Sequence, residues 1–213
     1  MHVSTPRARE RVRIFENPVL EALSKATPLL VAGFWIPAAV AAIAAGMLLR
    51  ERALPEVLLF GAGGLLGWTL FEYVMHRFFF HLEMPGALGR RFGFIIHGCH
   101  HVDPRDPLRN VMPLSASIPY AAAVAALADL SIDRADWLLA GGFGALGYVT
   151  YDLSHWAFHQ RRSRNRLFRY LQRHHWRHHA AGVDGNYAVT APLWDWVFRT
   201  GIGAKRGRGD AAR

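Results

Sequence analysis

The chain has 213 residues, 52% of them hydrophobic and 19% charged, with a formal charge of +9, 12 histidines and one cysteine. A charged fraction below the ~25% usual in soluble proteins excludes an acidic disordered chain. The lone cysteine excludes a disulfide scaffold, an all-thiolate zinc site and an iron–sulfur protein, so any metal is held by nitrogen or oxygen.

In chain order, Asn17-Pro18 sets a capping side chain before a proline at the first helical position, which predicts a short helix from Pro18 toward Lys25. From Ala26 to Leu49 there are 24 consecutive uncharged residues. At ~1.5 Å per residue they suffice to cross a ~30 Å hydrocarbon core. Three shorter uncharged runs follow: Val57 to Phe71 (15 residues), Met112 to Ala128 (17) and Trp137 to Tyr151 (15). Polar connectors, Arg50 to Glu56 and Asp129 to Asp136, join the runs in pairs. The pairing predicts two helical hairpins in a membrane, an all-α fold with four transmembrane helices, rather than a soluble helical bundle. Pro37 and Pro119 fall inside spans and are expected to kink them.

Charge placement predicts an orientation. The hairpin tips carry net charges of 0 and −2, whereas residues 1–25, 76–111 and 152–213 carry +2, +2 and +8. By the positive-inside rule both termini and the long middle loop are expected in the cytoplasm. No cleavable leader is expected, because the first 25 residues lack an apolar core. The expected divisions are a cytosolic interfacial helix within 1–25, a membrane domain over 26–200 and a disordered basic tail over 201–213, whose Arg208-Gly209-Asp210 is read as coincidental. No internal sequence repeat is visible.

Eleven histidines fall between His76 and His179, on the side assigned to the cytoplasm. They form four groups: EYVMHRFFFH (His76, His81), HGCHH (His97, His100, His101), HWAFH (His155, His159) and HHWRHH (His174, His175, His178, His179). HxxHH places i, i+3 and i+4 on one helical face, and HxxxH does so for i and i+4, so such sets can close on one metal. His76 and His81, at i and i+5, lie about 140° apart on an ideal α-helix, so they either flank a helix distortion or serve different metals. Clustering so much imidazole without cations costs desolvation and, on protonation, like-charge repulsion. Ten well-spaced histidines exceed the four to six ligands of one metal and suit a dinuclear site. His174 falls outside the HxxHH beginning at His175 and is the spare, and Cys99 is read as a bystander. Imidazole suits iron, zinc and copper; iron with dioxygen fits a site beside the unactivated C–H bonds of lipid. Arg166, Arg169, Arg173 and Arg177 make a cationic stripe leading into the last group. Contact with anionic lipid head groups is the preferred reading of that stripe, ahead of a docking face for an acidic electron donor. Nucleic-acid binding is not expected, since the basic residues flank spans and no such motif is present.

The residues resemble the fatty acid hydroxylase superfamily, most closely its fatty acid 2-hydroxylase branch. The likeness runs from LEALSKAT and FWIP through EYVMHRFFFH, HGCHH, an aspartate–proline loop and RNVMP to YDLSHWAFH, HHWRHH and TAPLWDWVFRT, over roughly residues 15–200. It implies four transmembrane helices under a cytosolic helical cap, and a dimetal centre that inserts one oxygen atom at C2 of a long acyl chain. Position by position it implies as ligands His76, His81, His97, His100, His101, His155, His159, His175, His178 and His179. Tyr151 and Asp152 match the family's YD and would lie near the metals as catalytic candidates, Asp152 orienting a ligand imidazole. Trp194 and Asp195 would help to close the cap, and Asn186 is a weaker polar candidate. The implied cofactors are two metal ions, iron in action and zinc possible in a purified form, with dioxygen as co-substrate. Eukaryotic members carry a fused cytochrome b5 domain for which this chain has no room. The resemblance therefore implies a separate donor, a ferredoxin or a cytochrome b5-like protein, beside the membrane and a fatty acyl or lipid substrate. The competing readings are a carotenoid ring hydroxylase or sterol-type oxidase of the same superfamily and, from another class, a non-catalytic membrane metal-binding protein. The last would need a path across the bilayer, yet the spans offer only Glu72 as a charged candidate.

Overall fold

Helix signals in the chain are met by helices. In the computed structural model, which describes residues 11–180 and 184–203, about 70% of the described residues are helical and none of them lies in a strand. The expected disordered tail falls almost wholly outside the described residues. Helix α1 (Pro18–Leu23) begins where Asn17 Oδ1 accepts from Val19 and Leu20 N–H at 2.9 and 3.2 Å. Thr27 caps α2 (Pro28–Leu49) through Leu30 N–H at 3.2 Å. Helix α3 (Leu54–Val74) runs without a break into a π-helical turn, Met75–Phe80. Next come α4 (Gly86–Gly93), a second π turn (Phe94–Gly98) and the short α5 (Cys99–Val102). The second hairpin is α6 (Leu114–Asp129) and α7 (Arg134–Gln160), followed by α8 (Arg166–His178) and α9 (Leu193–Val197). Neither Pro37 nor Pro119 ends its helix.

Helix α7 is the axis of the bundle, packed along α2 on one side and α3 on the other. Glycine permits that closeness. A Cβ on Gly142 would come within 2.9 Å of Ala39 O and 2.6 Å of Ile43 Cγ1, and one on Gly46 within 2.8 Å of Ala135 O. Apolar helices attract little in hydrocarbon, so their association rests on such backbone approach. The hairpin tips are also joined: Arg50 contacts Asp133 at 3.1 Å and Asp136 at 3.2 Å, and Arg52 bonds Asp136.

Outward, the hairpins are apolar. Only 17% of the most apolar stretch of α2, and the same share of that of Leu54–Phe80, is buried, and Leu29 and Leu48 are 82% and 86% exposed. Both helices are long and apolar enough to cross a bilayer. The four expected spans are thus met in length and composition by two. With 16 residues α6 covers about 24 Å of a ~30 Å core, and α7, longer at 27 residues, has an uncharged centre but charges at both ends. The buried core lies at the end away from the tips, where Val31, Val111, Tyr148, Tyr151, Phe158 and Val189 pack with Trp35 and Trp68.

Close packing at Gly142 makes a testable contrast. Gly142→Leu is expected to destabilise the purified protein by ~1–3 kcal/mol or more through overpacking. Gly33→Ala, with nothing within 4 Å of the added carbon, should melt no lower than the parent. Thermal unfolding in one detergent reads both.

Candidate metal centre

Four chain segments bring their histidines to the end of the bundle away from the tips. The π turn after α3 resolves the awkward i, i+5 spacing: hydrogen bonding from i to i+5 stacks His76 and His81 on one side, where an α-helix would splay them. A second π turn and α5 carry His97, His100 and His101; the end of α7 carries His155 and His159; the end of α8 carries His175, His178 and His179.

Their ligand atoms gather into two groups of five. His76, His81, His97, His101 and His178 form one, and His100, His155, His159, His175 and His179 the other; within each, the nitrogens lie within 4.8 Å of one another. The HxxHH sets therefore do not close on one focus as the helical-face reading allowed. Each gives its i and i+4 histidines to one group and its i+3 histidine to the other, because i+3 and i+4 diverge by one residue's rotation. His76 and His81 thus share a focus and flank a distortion.

The contacts suit a cation rather than a hydrogen-bond network. His97 Nε2 lies 3.1 Å from His76 Nε2 and 3.0 Å from His101 Nε2, and His175 Nε2 lies 2.8 Å from His159 Nε2 and 3.0 Å from His179 Nε2. An imidazole nitrogen has one in-plane position, a proton or a lone pair, and cannot serve as donor to one neighbour and acceptor to another. Two nitrogens bound ~2.1 Å from one ion and at right angles stand about 3.0 Å apart. Among the described residues the buried Nδ1 of His159, His175 and His179 has no partner, which leaves the Nε2 side of these rings to serve the focus. The residues therefore fit two metal ions, and an all-imidazole donor set suits iron, zinc or copper.

Backbone carbonyls aim several rings. Nδ1 of His76 donates to Tyr187 O, that of His155 to Asn110 O at 2.8 Å, and that of His178 to Gly185 O at 2.9 Å. Donation through Nδ1 leaves the Nε2 lone pair toward the focus. The Asn110 amide lies 3.2 Å from His100 Nδ1, so this buried residue touches two rings of one group. Two buried carboxylates hold the loop that supplies the other carbonyls. Glu72 accepts from Val189 N–H at 2.8 Å, Thr190 N–H at 2.7 Å and Thr190 Oγ1 at 2.6 Å. Asp195 accepts from Tyr187 and Ala188 N–H at 2.9 Å each, and from Thr200 Oγ1 at 2.7 Å. Burial, then neighbouring imidazoles, holds His97, His100 and His175 well below 6.5; burial first brings His101 to about 3 and His178 to about 4. These rings are neutral at physiological pH, as ligation requires.

The remaining candidates take other places. Tyr151 stacks on His155 with ring centres 5.9 Å apart and planes 2° from parallel. Asp152 makes no hydrogen bond to an imidazole among the described residues: it accepts from Met112 N–H at 3.0 Å and from Tyr148 Oη at 3.0 Å. It instead anchors the chain two residues beyond Asn110. His174 bonds Asp195 at 2.8 Å, outside both groups. Asn186, at φ 55°, joins His174 O to Ile202 N–H, and Trp194 Nε1 donates to Thr69 Oγ1, so both tie the cap together. Cys99 is buried beside Ile95 O at 3.8 Å. Sequence reasoning missed Asn110, Glu72 as a clamp, and the carbonyls of Gly185 and Tyr187. Only RNVMP, already part of the family likeness, signalled Asn110.

Known proteins resemble this chain in sequence and fold. A sequence profile for the family described as Fatty acid hydroxylase matches residues 61–200. A dihydroceramide fatty acyl 2-hydroxylase of Arabidopsis thaliana is 33% identical over 198 residues, 92% of this chain and 82% of that protein. A ceramide very long chain fatty acid hydroxylase of Schizosaccharomyces pombe is 35% identical over 190 residues, 85% of this chain and 52% of that one. Among solved structures, full-length scs7p with only its hydroxylase domain visible superposes with a TM-score of 0.82 at 30% identity, covering 89% of this chain and 71% of that chain.

Metal counts follow from the division into fives. Elemental analysis should find two metals per chain in the parent and close to one in His81→Ala or His159→Ala, which strike different groups. In the double variant the content should fall toward zero. A single-site loss that empties both positions would contradict independent foci.

Proposed function

The chain belongs to the fatty acid hydroxylase family and is an oxidoreductase of lipid hydroxylation, and we propose that it hydroxylates a long acyl chain at C2. The ten convergent, neutral imidazoles in two groups of five carry this reading, since no structural zinc site needs so many ligands. Relatives named as 2-hydroxylases support the regiochemistry. We place the active site on the cytoplasmic side of a membrane domain of residues 26–200 whose two hairpins span the bilayer, with residues 1–25 and 201–213 outside it.

Iron, when bound by the ten histidines, supplies the activation of dioxygen and the oxidation of the C–H bond. The chain's own residues do the rest. Neutral imidazoles offer lone pairs without competing protons, and carbonyls of Asn110, Gly185 and Tyr187 fix the direction of three rings. Tyr151, stacked on His155, walls that group on the side of the apolar core. Asp152 and Tyr148 hold Met112 and so keep Asn110 against both of its histidines. Selectivity for C2 then comes from stopping the acyl head group one carbon short of the oxidising centre. Electrons come from a separate donor.

Expression of the chain beside a His100→Ala control, with mass spectrometry of the hydrolysed lipids, tests the assignment. A rise in 2-hydroxy acyl chains with the parent alone is expected. Unchanged levels would sink the C2 reading, and hydroxylated carotenoids or sterols would redirect it within the superfamily.

A further inference from the structure

We propose that the outward face of α8 is the docking surface for a soluble, acidic one-electron carrier protein. The proposal rests on the hydroxylase reading above. Conversion of a C–H bond to an alcohol by dioxygen also consumes two electrons and two protons and releases water, so two one-electron carriers must deliver for each turnover. One cysteine rules out a cluster within these residues, and ten of the twelve histidines form the two groups. No further cluster of metal-ligating side chains occurs among the described residues.

Helix α8 is built with two opposed faces. His175 and His178 are buried on one side with His179, the residue after α8, among the proposed ligands, whereas Arg166, Arg169, Arg173 and Arg177 are exposed. On an ideal helix these arginines fall within an arc of about 80°, turned away from the three histidines. A helix is ~10–12 Å across, so a carrier on the arginine face stands one helix width from the ligands, and α8 itself bridges the gap.

Charge and exposure define the occupant. None of the four arginines forms an ion pair among the described residues, and no acidic residue occurs between Asp152 and Asp184. An unpaired cationic row steers an anionic partner and suits fast, transient encounters. Beside it, Arg173, Arg177 and Arg199 border a cleft with Tyr170 and Trp196, which are 51% and 79% exposed. Exposed aromatics inside a basic rim are the usual anchor of a protein interface. Lipid is the poorer occupant: the two histidine groups lie between α8 and the ends of α3 and α7, so the arginine face turns away from the apolar hairpins. That geometry reverses the sequence preference for lipid head groups.

The test uses the full metal-loaded chain in nanodiscs of neutral phosphatidylcholine, with two reduced acidic carriers as probes, a [2Fe–2S] ferredoxin and a soluble b-type cytochrome domain. Binding is measured with the zinc-loaded protein and electron transfer with the iron-loaded protein. For at least one probe, both should fall tenfold or more at low salt in Arg166→Glu/Arg169→Glu/Arg173→Glu, and the parent should lose this advantage as salt rises. Reduction by dithionite should be equal in parent and variant, which shows the variant folded. Equal binding of parent and variant to both probes overturns the proposal, as does a loss seen only when the discs contain anionic lipid. If dithionite yields no hydroxylated acyl chain while arginine-dependent binding persists, the hydroxylase reading fails and the docking surface stands.

Discussion

In each group of five histidines the ring nitrogens face other ring nitrogens at about the separation that ligands adopt around one ion. Buried lone pairs turned on one another gain nothing and have lost their hydration, a cost of a few kcal/mol each in a low-dielectric interior. The segments that converge here are therefore suited to a cation, and the rest of the fold can be read as a device for bringing them together. Each group draws its histidines from three segments, so a metal in one ties together the ends of α3, α5 and α8, and a metal in the other those of α5, α7 and α8. Metal loading is then part of the stability of the cap as well as of its chemistry.

Around the ligands lies a frame that is mostly backbone. Carbonyls of Tyr187, Gly185 and Asn110 take ring protons, and the loop supplying the first two is held by Glu72 from α3 and Asp195 from α9. This explains a buried acid at the end of an apolar helix: Glu72 accepts three hydrogen bonds from one loop and so relates that loop to the membrane helix bearing His76. The YD pair serves the same frame at one remove, since Asp152 secures Met112 and through it the segment of Asn110.

Much of this was legible in the residues. The cap at Asn17, the pairing of apolar runs and the identity of ten converging histidines all follow from composition and spacing. Other features depend on information that spacing lacks. The relation of His76 to His81 turns on a π turn, which hydrophobic periodicity does not reveal. Allocation of each HxxHH set to two groups depends on the helices crossing a divide between the foci, a tertiary fact. The two groups follow one plan: a pair from the returning helix of a hairpin, an i, i+4 pair from one HxxHH set and the i+3 histidine of the other. No sequence repeat betrays this pseudo-symmetry. Carbonyl acceptors such as Gly185 O carry no side-chain signature, and for that reason Asp152 looked the better partner for an imidazole. The shortness of α6 was visible, but how it sits in a bilayer depends on its neighbours.

Electrostatics divides the molecule in a way that suits its chemistry: apolar hairpins, a neutral imidazole layer at their ends, and a cationic exterior on α8. Substrate carbon, metal and reductant would each meet the layer that suits them. The central claim is that two metals occupy two separate five-imidazole foci. Anomalous diffraction from crystals of metal-loaded protein tests it most directly. Two peaks are expected, one enclosed by His76, His81, His97, His101 and His178 and the other by His100, His155, His159, His175 and His179. A single peak, or density bound by side chains other than these histidines, would contradict it.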